Sequence, residues 1–130
     1  MSEPKFLTLE AIEFLHQRSI HRYGGTLGIR DRAGLESAVM QPLNTYYYGH
    51  GDLFDIAAAY AFHVAEAQAF LDGNKRTAIA ACLHFLEANA LTAIFNELEL
   101  YHAMIGIAER RLTKRDLAAL LRDEAASQGQ

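Results

Sequence analysis

The sequence predicts an all-α protein, a single-domain bundle of about six helices spanning residues 1–130. Three observations lead to this fold class. Apolar residues recur mostly at the spacing of three and four that is typical of helices. The chain has only two prolines, so long segments run without a helix breaker. Its 130 residues are 51% hydrophobic, which is enough to bury the core of one domain.

The boundaries of the first two helices follow from local signals. Thr8 is a favourable N-cap for a first helix that ends at the glycine pair 24–25. A second, shorter helix begins near Asp31 and is expected to end before Pro42, because proline disfavours helical geometry in the residue preceding it. Residues 42–52 contain three consecutive tyrosines and two glycines, and they predict an irregular loop or loose hairpin.

The middle of the chain holds the most apolar segment. Residues 53–69 leave very little polar face, which predicts the central, buried helix of the bundle. After a break at Asp72 and Gly73, a further helix is expected over residues 74–89.

The C-terminal third predicts two more helices. Residues 91–95 form a short extended segment, and residues 97–110 then carry helical apolar spacing. Thr113 and Asp116 have the spacing of a capping box and open the last helix. The tail 127–130 is expected to fray.

Composition excludes several classes of protein. The single cysteine, Cys82, excludes a disulfide framework and a four-cysteine zinc site. A net charge of −4 disfavours direct nucleic-acid binding, since such domains are usually basic. No stretch reaches the ~18 apolar residues of a membrane span, and residues 1–8 lack the features of a signal peptide. We therefore expect a cytoplasmic protein that does not contact the membrane.

The segment 70–76, Phe-Leu-Asp-Gly-Asn-Lys-Arg, carries the chemistry. A glycine allows backbone amides to approach a ligand, and Asn74 is expected to be the N-cap of the next helix. The amides after a cap form an anion site, yet Lys75 and Arg76 occupy a first turn where the helix dipole disfavours cations. A bound phosphate would compensate for this, and Asp72 beside it suits Mg²⁺.

The same residues have a purely structural interpretation. Asp-Gly-Asn is a common turn, and a Lys-Arg pair on a helix is usually a solvated face. The position of the segment directly after the buried helix favours the functional interpretation, because a rigid element can hold a working loop in place.

At these residues the chain resembles the Fic/Doc family, whose loop has the form His-Pro-Phe-x-Asp/Glu-Gly-Asn-Lys/Arg-Arg between two central helices. The chain matches this form from Phe70 onward. The likeness is to the Doc (death-on-curing) branch and covers roughly residues 6–95. It also includes Leu15-His16, Tyr23-Gly24-Gly25, Gly28-Ile29-Arg30-Asp31, Leu35-Glu36-Ser37-Ala38, Pro42, Leu53–Tyr60 and Phe85-Leu86 with Asn89.

The resemblance implies a Fic/Doc-like bundle with a motif core over about residues 53–89. Phe70 is similar to the residue that anchors the loop in the core, and Asp72 to the family's metal-associated acid. The flap that positions a protein substrate is implied at residues 42–52, although simple packing of the three tyrosines against the domain explains this segment equally well. The residues similar to the family's cradle for nucleotide phosphates are Gly73, Asn74, Lys75 and Arg76.

The activity implied by the resemblance is transfer of phosphate, or less readily AMP, from a nucleotide to a hydroxyl of a target protein. ATP would be the nucleotide substrate and Mg²⁺ its metal. For Doc-like proteins the implied target is a translation elongation factor, and the implied partner is a small antitoxin that covers the site. Gln68 would orient the acceptor, Asp72 would hold the metal and Lys75 would bind phosphate.

The chain departs from the family at two adjacent positions. Gln68 replaces the histidine that acts as general base, and Ala69 replaces the following proline. A glutamine can position a hydroxyl but cannot take its proton at neutral pH. Losing a general base typically costs ~10²–10⁴ in rate, although phosphoryl transfer depends strongly on positioning and charge. The alternative is therefore a catalytically weakened or inactive binding protein on the same fold.

Among the other residues, only Asp72 could replace the base, provided that it does not bind the metal. His63 is expected to point away from Gln68 and to be packed or hydrogen-bonded, and His84 lies too far along the next helix. Cys82 is expected in the core. No serine or threonine has a glutamate four residues later, so the family's self-inhibitory motif is missing and restraint is expected from a separate antitoxin.

Overall fold

The computed structural model describes residues 3–129 and shows six α-helices within them. The all-α class and the number of helices are therefore confirmed. In chain order the helices are α1 (Leu9–Tyr23), α2 (Arg32–Tyr47), α3 (Leu53–Ala67), α4 (Asn74–Ala88), α5 (Glu97–Ala108) and α6 (Lys114–Ala126).

Helix α3 is the centre of the bundle, as its composition predicts. It packs against α2, α4, α5 and α6, while α4 also packs against α1 and α5. Its small side chains let these neighbours approach closely, and Tyr60 is fully buried among them. The buried residues of α3 are Ile56, Ala57, Ala58, Ala59, Tyr60, Ala61 and Val64.

Side-chain caps define the helix starts. The Thr8 hydroxyl accepts a hydrogen bond from the Ala11 amide at 3.1 Å, as expected for the start of α1. Thr113 and Asp116 form the predicted capping box at α6. Asp52 and Asp55 form a second capping box at α3, and Arg122 of α6 bridges both carboxylates at 2.9 and 3.3 Å.

The prediction that α2 ends before Pro42 is wrong. Helix α2 continues through Pro42 to Tyr47, so residues 42–47 are not irregular. Proline removes one helical hydrogen bond, but the Pro42 ring is buried, and this burial offsets part of the loss. The connection to α3 is therefore short and covers residues 48–52.

Two smaller expectations need revision. Helix α3 ends at Ala67, two residues early, because Gln68 adopts the left-handed conformation. In the tail, the Gln128 side chain accepts from the Ile94 amide at 2.8 Å and donates to the Ile94 carbonyl at 2.7 Å. The extended segment 91–95 thus pairs with the Gln128 side chain of the tail. Gln130 lies outside the described residues.

Candidate active site

The loop between α3 and α4, residues 68–73, docks on an extended segment that precedes α2. We call residues 68–73 the motif loop. The Ala69 carbonyl accepts from the amides of Arg30 at 2.6 Å and Asp31 at 3.0 Å, and the Leu71 amide donates to Gly28 at 3.0 Å. Phe70 and Ile29 form an antiparallel bridge. The loop is therefore fixed by backbone pairing with a segment about 40 residues away.

Asn74 closes the motif loop from within, although it is not the predicted N-cap. Gly73 is the N-cap of α4, with φ at 74°. The Asn74 side chain turns back instead, accepting from the Phe70 amide at 3.1 Å and donating to the Phe70 carbonyl at 3.0 Å. Gly73 takes the positive φ at no cost, and this directs the Asn74 side chain into the loop.

His16 of α1 supports the motif loop from below, although the sequence analysis gave it no role in the site. Its ring stacks on Phe70 with centroids 3.8 Å apart and an interplanar angle of 10°. Its Nε2 lies 2.8 Å from the Asp72 carbonyl, and since a carbonyl only accepts, Nε2 carries the proton. His16 and Phe70 are both buried, so Phe70 is in the core as expected. The match at Leu15-His16 was the only sequence signal for this contact.

The first turn of α4 presents backbone amides without a side-chain cap. The amides of residues 74–76 have no partner within the helix, and no side chain caps this end. The helix dipole places partial positive charge there. The first turn of α4 therefore offers backbone donors that an anion could use, with Gly73 rather than Asn74 in the cap position; that it binds phosphate stays a prediction.

The Asp72 carboxylate is exposed and held by two backbone amides. Its Oδ1 accepts from Gly73 at 2.9 Å, and its Oδ2 accepts from Thr26 at 3.3 Å. Gly25 lies against it, where an added Cβ would be 2.7 Å from Oδ2. One carboxylate is thus fixed in orientation at the edge of the anion site.

A cavity of about 320 Å³ lies between the motif loop and α5. All six predicted site residues line it: Gln68, Asp72, Gly73, Asn74, Lys75 and Arg76. The opposite wall is formed by Tyr101, Met104 and Ile107. The structure therefore brings every predicted site residue to one cavity.

Arg76 lies on a wall shared by two cavities. It also lines a second cavity of about 310 Å³, where Arg18 and Arg22 of α1 are exposed to the same space. The Arg76 Cζ atom lies 4.1 Å from the centre of the Tyr23 ring and 5.3 Å from that of Tyr101. Neither tyrosine was predicted to belong to the site.

Gln68 is exposed at the cavity in a strained backbone conformation. Its φ and ψ are 44° and 43°, a left-handed geometry that is uncommon for residues other than glycine. Its carbonyl accepts from Arg30 Nη2 at 2.6 Å, which holds this geometry. Within residues 3–129 its side-chain amide has no hydrogen-bond partner, so it is available to a ligand.

His63 and Cys82 lie where the sequence predicts, away from the cavity and in the core. His63 lies away from the cavity, where its Nε2 accepts from Lys114 Nζ at 3.0 Å. Burial, with a smaller contribution from the Lys114 charge, lowers the pKa of His63 to about 4. Complete burial raises the pKa of Cys82 to about 12. The described residues contain no cluster of three metal-ligating side chains.

The expected flap segment does not reach the cavity. Tyr46 and Tyr47 pack against Phe6, with ring centroids 5.9 and 6.2 Å apart, and Tyr48 is 81% exposed. Residues 42–52 are absent from the described residues that line the cavity. The segment 28–31 borders the motif loop instead.

Comparison with known proteins identifies the family of the chain. Among residues 3–129, no helix is both long enough and apolar enough to span a membrane. The chain is 31% identical over 119 residues to a protein named Protein kinase doc from Escherichia phage P1, covering 91% of this chain and 94% of that protein. It is 38% identical over 109 residues to a protein named Toxin Doc from Mycolicibacterium smegmatis, covering 81% and 84% of the two chains. The model of the Fic/DOC family matches residues 6–86, and the chain therefore belongs to the Fic/Doc family.

Proposed function

We propose that this protein is the toxin of a toxin–antitoxin pair and transfers phosphate from ATP to a hydroxyl of a protein. The single observation that carries this proposal is the uncapped first turn of α4, with Lys75 and Arg76 beside it at a common cavity. Two Doc relatives also support the proposal, since one is named a protein kinase and the other a toxin. A translation elongation factor is the proposed target.

The α4 turn would bind the phosphates. Three backbone amides and the helix dipole attract an anion, Lys75 adds a mobile charge, and Arg76 can bind two phosphate oxygens at once. Phosphoryl transfer depends mainly on positioning and on neutralising charge, which is what this set of groups supplies.

The position of Asp72 fits a magnesium ion bound together with ATP. Each carboxylate oxygen accepts one backbone hydrogen bond and keeps a free lone pair at the cavity. Mg²⁺ usually binds one or two carboxylates together with substrate phosphates, so one fixed carboxylate is sufficient. The ion would supply charge neutralisation on the phosphates.

Gln68 would orient the acceptor rather than deprotonate it. The acceptor oxygen bonds to the γ-phosphorus, the bond from that phosphorus to the β–γ bridging oxygen breaks, and ADP leaves. The hydroxyl proton passes to solvent, because a glutamine amide cannot accept it at neutral pH. We expect a rate ~10²–10⁴ below that of a variant with a histidine there.

Label transfer from ATP tests the proposal. Wild type and Gln68→His are incubated with candidate target protein and with ATP labelled at the γ- or α-phosphate, and each is also induced in a bacterial host. Transfer of γ-label and growth arrest by both proteins is the expected result. Transfer of α-label would replace phosphate transfer with AMP transfer, and inactivity of both proteins would refute the transferase proposal.

A non-catalytic binding protein is the second candidate, and it is favoured because the residue exposed at the cavity in place of the family's general base is Gln68, which cannot accept a proton. In that case Gln68→His alone would transfer label. Measuring ATP binding tests the phosphate site separately from catalysis, because both candidates need the α4 turn to bind phosphate. Arg76→Ala should abolish ATP binding, and unchanged binding would refute the phosphate site itself.

The name of the Mycolicibacterium relative also suggests the partner. Because that protein is a toxin, we propose that a small antitoxin covers the cavity and blocks ATP. Co-expression with the protein product of an adjacent gene should suppress growth arrest and allow the two chains to be purified together.

A further inference from the structure

Two tyrosines from different helices surround the Arg76 guanidinium. Tyr23 is the last residue of α1, and Tyr101 lies in α5. The Arg76 Cζ atom is 4.1 Å from the centre of the Tyr23 ring and 5.3 Å from that of Tyr101. Both distances are within the range in which a cation is attracted to an aromatic ring.

These rings are the contacts that restrain Arg76. The side chain is exposed, flexible and located at a helix end where the dipole disfavours a cation. Among residues 3–129 no carboxylate lies within ion-pair distance of it. Without the rings, its charge would sample many positions, and binding an anion would have to order it.

The type of contact matters for what Arg76 can do. A carboxylate partner would occupy the guanidinium N–H groups and offset their charge. An aromatic ring attracts the cation as a whole and leaves the N–H donors available in the plane of the group. The two rings thus hold the Arg76 side chain and leave its N–H groups free to donate hydrogen bonds to a ligand.

The two cavities beside Arg76 also indicate that its guanidinium is held ready for an anion. Tyr101 lines the motif-loop cavity together with Arg76, and Tyr23 meets both of them in the neighbouring cavity. Arg22 Cζ lies 5.2 Å from the same Tyr23 ring, so this ring contacts two cations. Two like charges sharing one ring repel each other, and a bound anion would relieve that repulsion.

We propose that Tyr23 and Tyr101 are positioning residues that hold the Arg76 guanidinium ready for the nucleotide phosphates. This inference rests on the proposed function of the α4 turn and deepens it. It assigns a role to Tyr23 at the end of α1 and to Tyr101 in the first half of α5, neither of which belongs to the motif segment.

The test measures ATP binding by calorimetry for Tyr23→Leu, Tyr101→Leu and the double variant. Each single change should weaken binding about two- to fivefold, and the double change more, without exceeding the effect of Arg76→Ala. Tyr23→Phe and Tyr101→Phe keep the ring and should stay within twofold of wild type. Phe14→Leu is the matched control, because Phe14 lies on α1 and contacts Arg18 rather than Arg76.

A second measurement separates positioning from general damage to the fold. In ¹⁵N-labelled protein without ATP, the Nε–H group of Arg76 should be ordered in wild type and in the phenylalanine variants. It should become mobile in the leucine variants while backbone amides of α3 stay unchanged.

The outcomes are distinct. If Arg76→Ala loses ATP but the leucine variants bind normally, or if Arg76 stays ordered in them, the positioning role is refuted and the phosphate site stands. If Arg76→Ala binds ATP like wild type, the proposed function itself is refuted.

Discussion

The side-chain amide of Asn74 makes two hydrogen bonds to the backbone of Phe70, four residues earlier. Oδ1 accepts from the Phe70 amide at 3.1 Å, and Nδ2 donates to the Phe70 carbonyl at 3.0 Å. An asparagine can satisfy a donor and an acceptor together in this way, whereas aspartate can only accept. This pair of bonds closes the motif loop and sets where the first turn of α4 begins.

Asn74→Ala is expected to open the loop and weaken ATP binding at least tenfold. It removes two hydrogen bonds at a part-buried backbone, so unfolding stability should also fall by about 1–3 kcal/mol. Asn89→Ala is the matched control, because Asn89 also bonds backbone groups, those of Lys5 and Phe85, far from the cavity. It should lose similar stability in urea and keep ATP affinity. Equal losses of affinity in both variants would contradict the loop-closing role.

Asp72→Asn is expected to remove the benefit of magnesium for ATP binding. In wild type, Mg²⁺ should tighten ATP binding, and EDTA should reverse this effect. Asparagine keeps one of the two acceptor oxygens and loses the negative charge that repels the phosphates, so affinity without Mg²⁺ should not fall. Titration of ATP with and without the metal measures the difference. An equal gain from Mg²⁺ in wild type and variant would show that Asp72 does not bind the ion.

His63 is expected to make stability fall with acid. Its pKa is lowered to about 4 in the folded protein, against 6.5 when unfolded, because it is buried and lies beside Lys114. The unfolded state therefore binds more protons between pH 6.5 and 4, and stability is progressively lost as the pH falls through this window. Urea unfolding at several pH values should show this slope in wild type and a flatter one in His63→Gln. Identical slopes above pH 5, where most carboxylates remain charged, would contradict the assignment.

Tyr60→Phe is expected to lower unfolding stability by about 1–3 kcal/mol. The Tyr60 hydroxyl accepts a hydrogen bond from the Leu7 amide at 2.8 Å, and the variant would leave that buried amide without a partner. Urea denaturation measures the change. Tyr48→Phe is the control, since Tyr48 is 81% exposed and should lose nothing. Equal stability of the two variants would show that the Leu7 bond contributes no net energy.

Cys82 is expected to resist thiol reagents in the folded protein. It is completely buried, and burial raises its pKa to about 12, so almost no thiolate is present at pH 8. A chromogenic disulfide reagent should show no reaction until denaturant is added, and then one thiol per chain. Ser37→Cys places a thiol on an exposed position of α2 and should react at once. Rapid reaction of wild type would indicate frequent opening of the core.

Features that depend on neighbouring residues were predictable from the sequence. The capping box of Thr113 and Asp116 needs a spacing of three, and the buried character of α3 follows from its composition. The motif segment was also predictable, because its turn, its helix start and its charges lie within seven residues. The resemblance to Fic/Doc proteins also predicted that Gln68 belongs to the site.

Features that depend on distant packing were not predictable. His16 bonds to the Asp72 carbonyl although the two residues are 56 positions apart in the sequence. Tyr101 contacts Arg76 from a different helix, and the sequence does not show how those two helices are oriented. Pro42 lies inside α2 with its ring buried, and a rule based on local helix propensity takes no account of that burial. Asn74 had the properties of an N-cap, but the turn at Gly73 directs it into the loop.

The docking of the motif loop on the segment before α2 has a consequence for the order of folding. Helices α3 and α4 can pair early, because they adjoin along the chain. The loop between them acquires its shape only when His16 and the Gly28–Asp31 segment arrive, some 40 to 56 residues away. Detachment of α1 would therefore remove the His16 contacts that support the motif loop, while α3 and the other helices packed against it could stay folded.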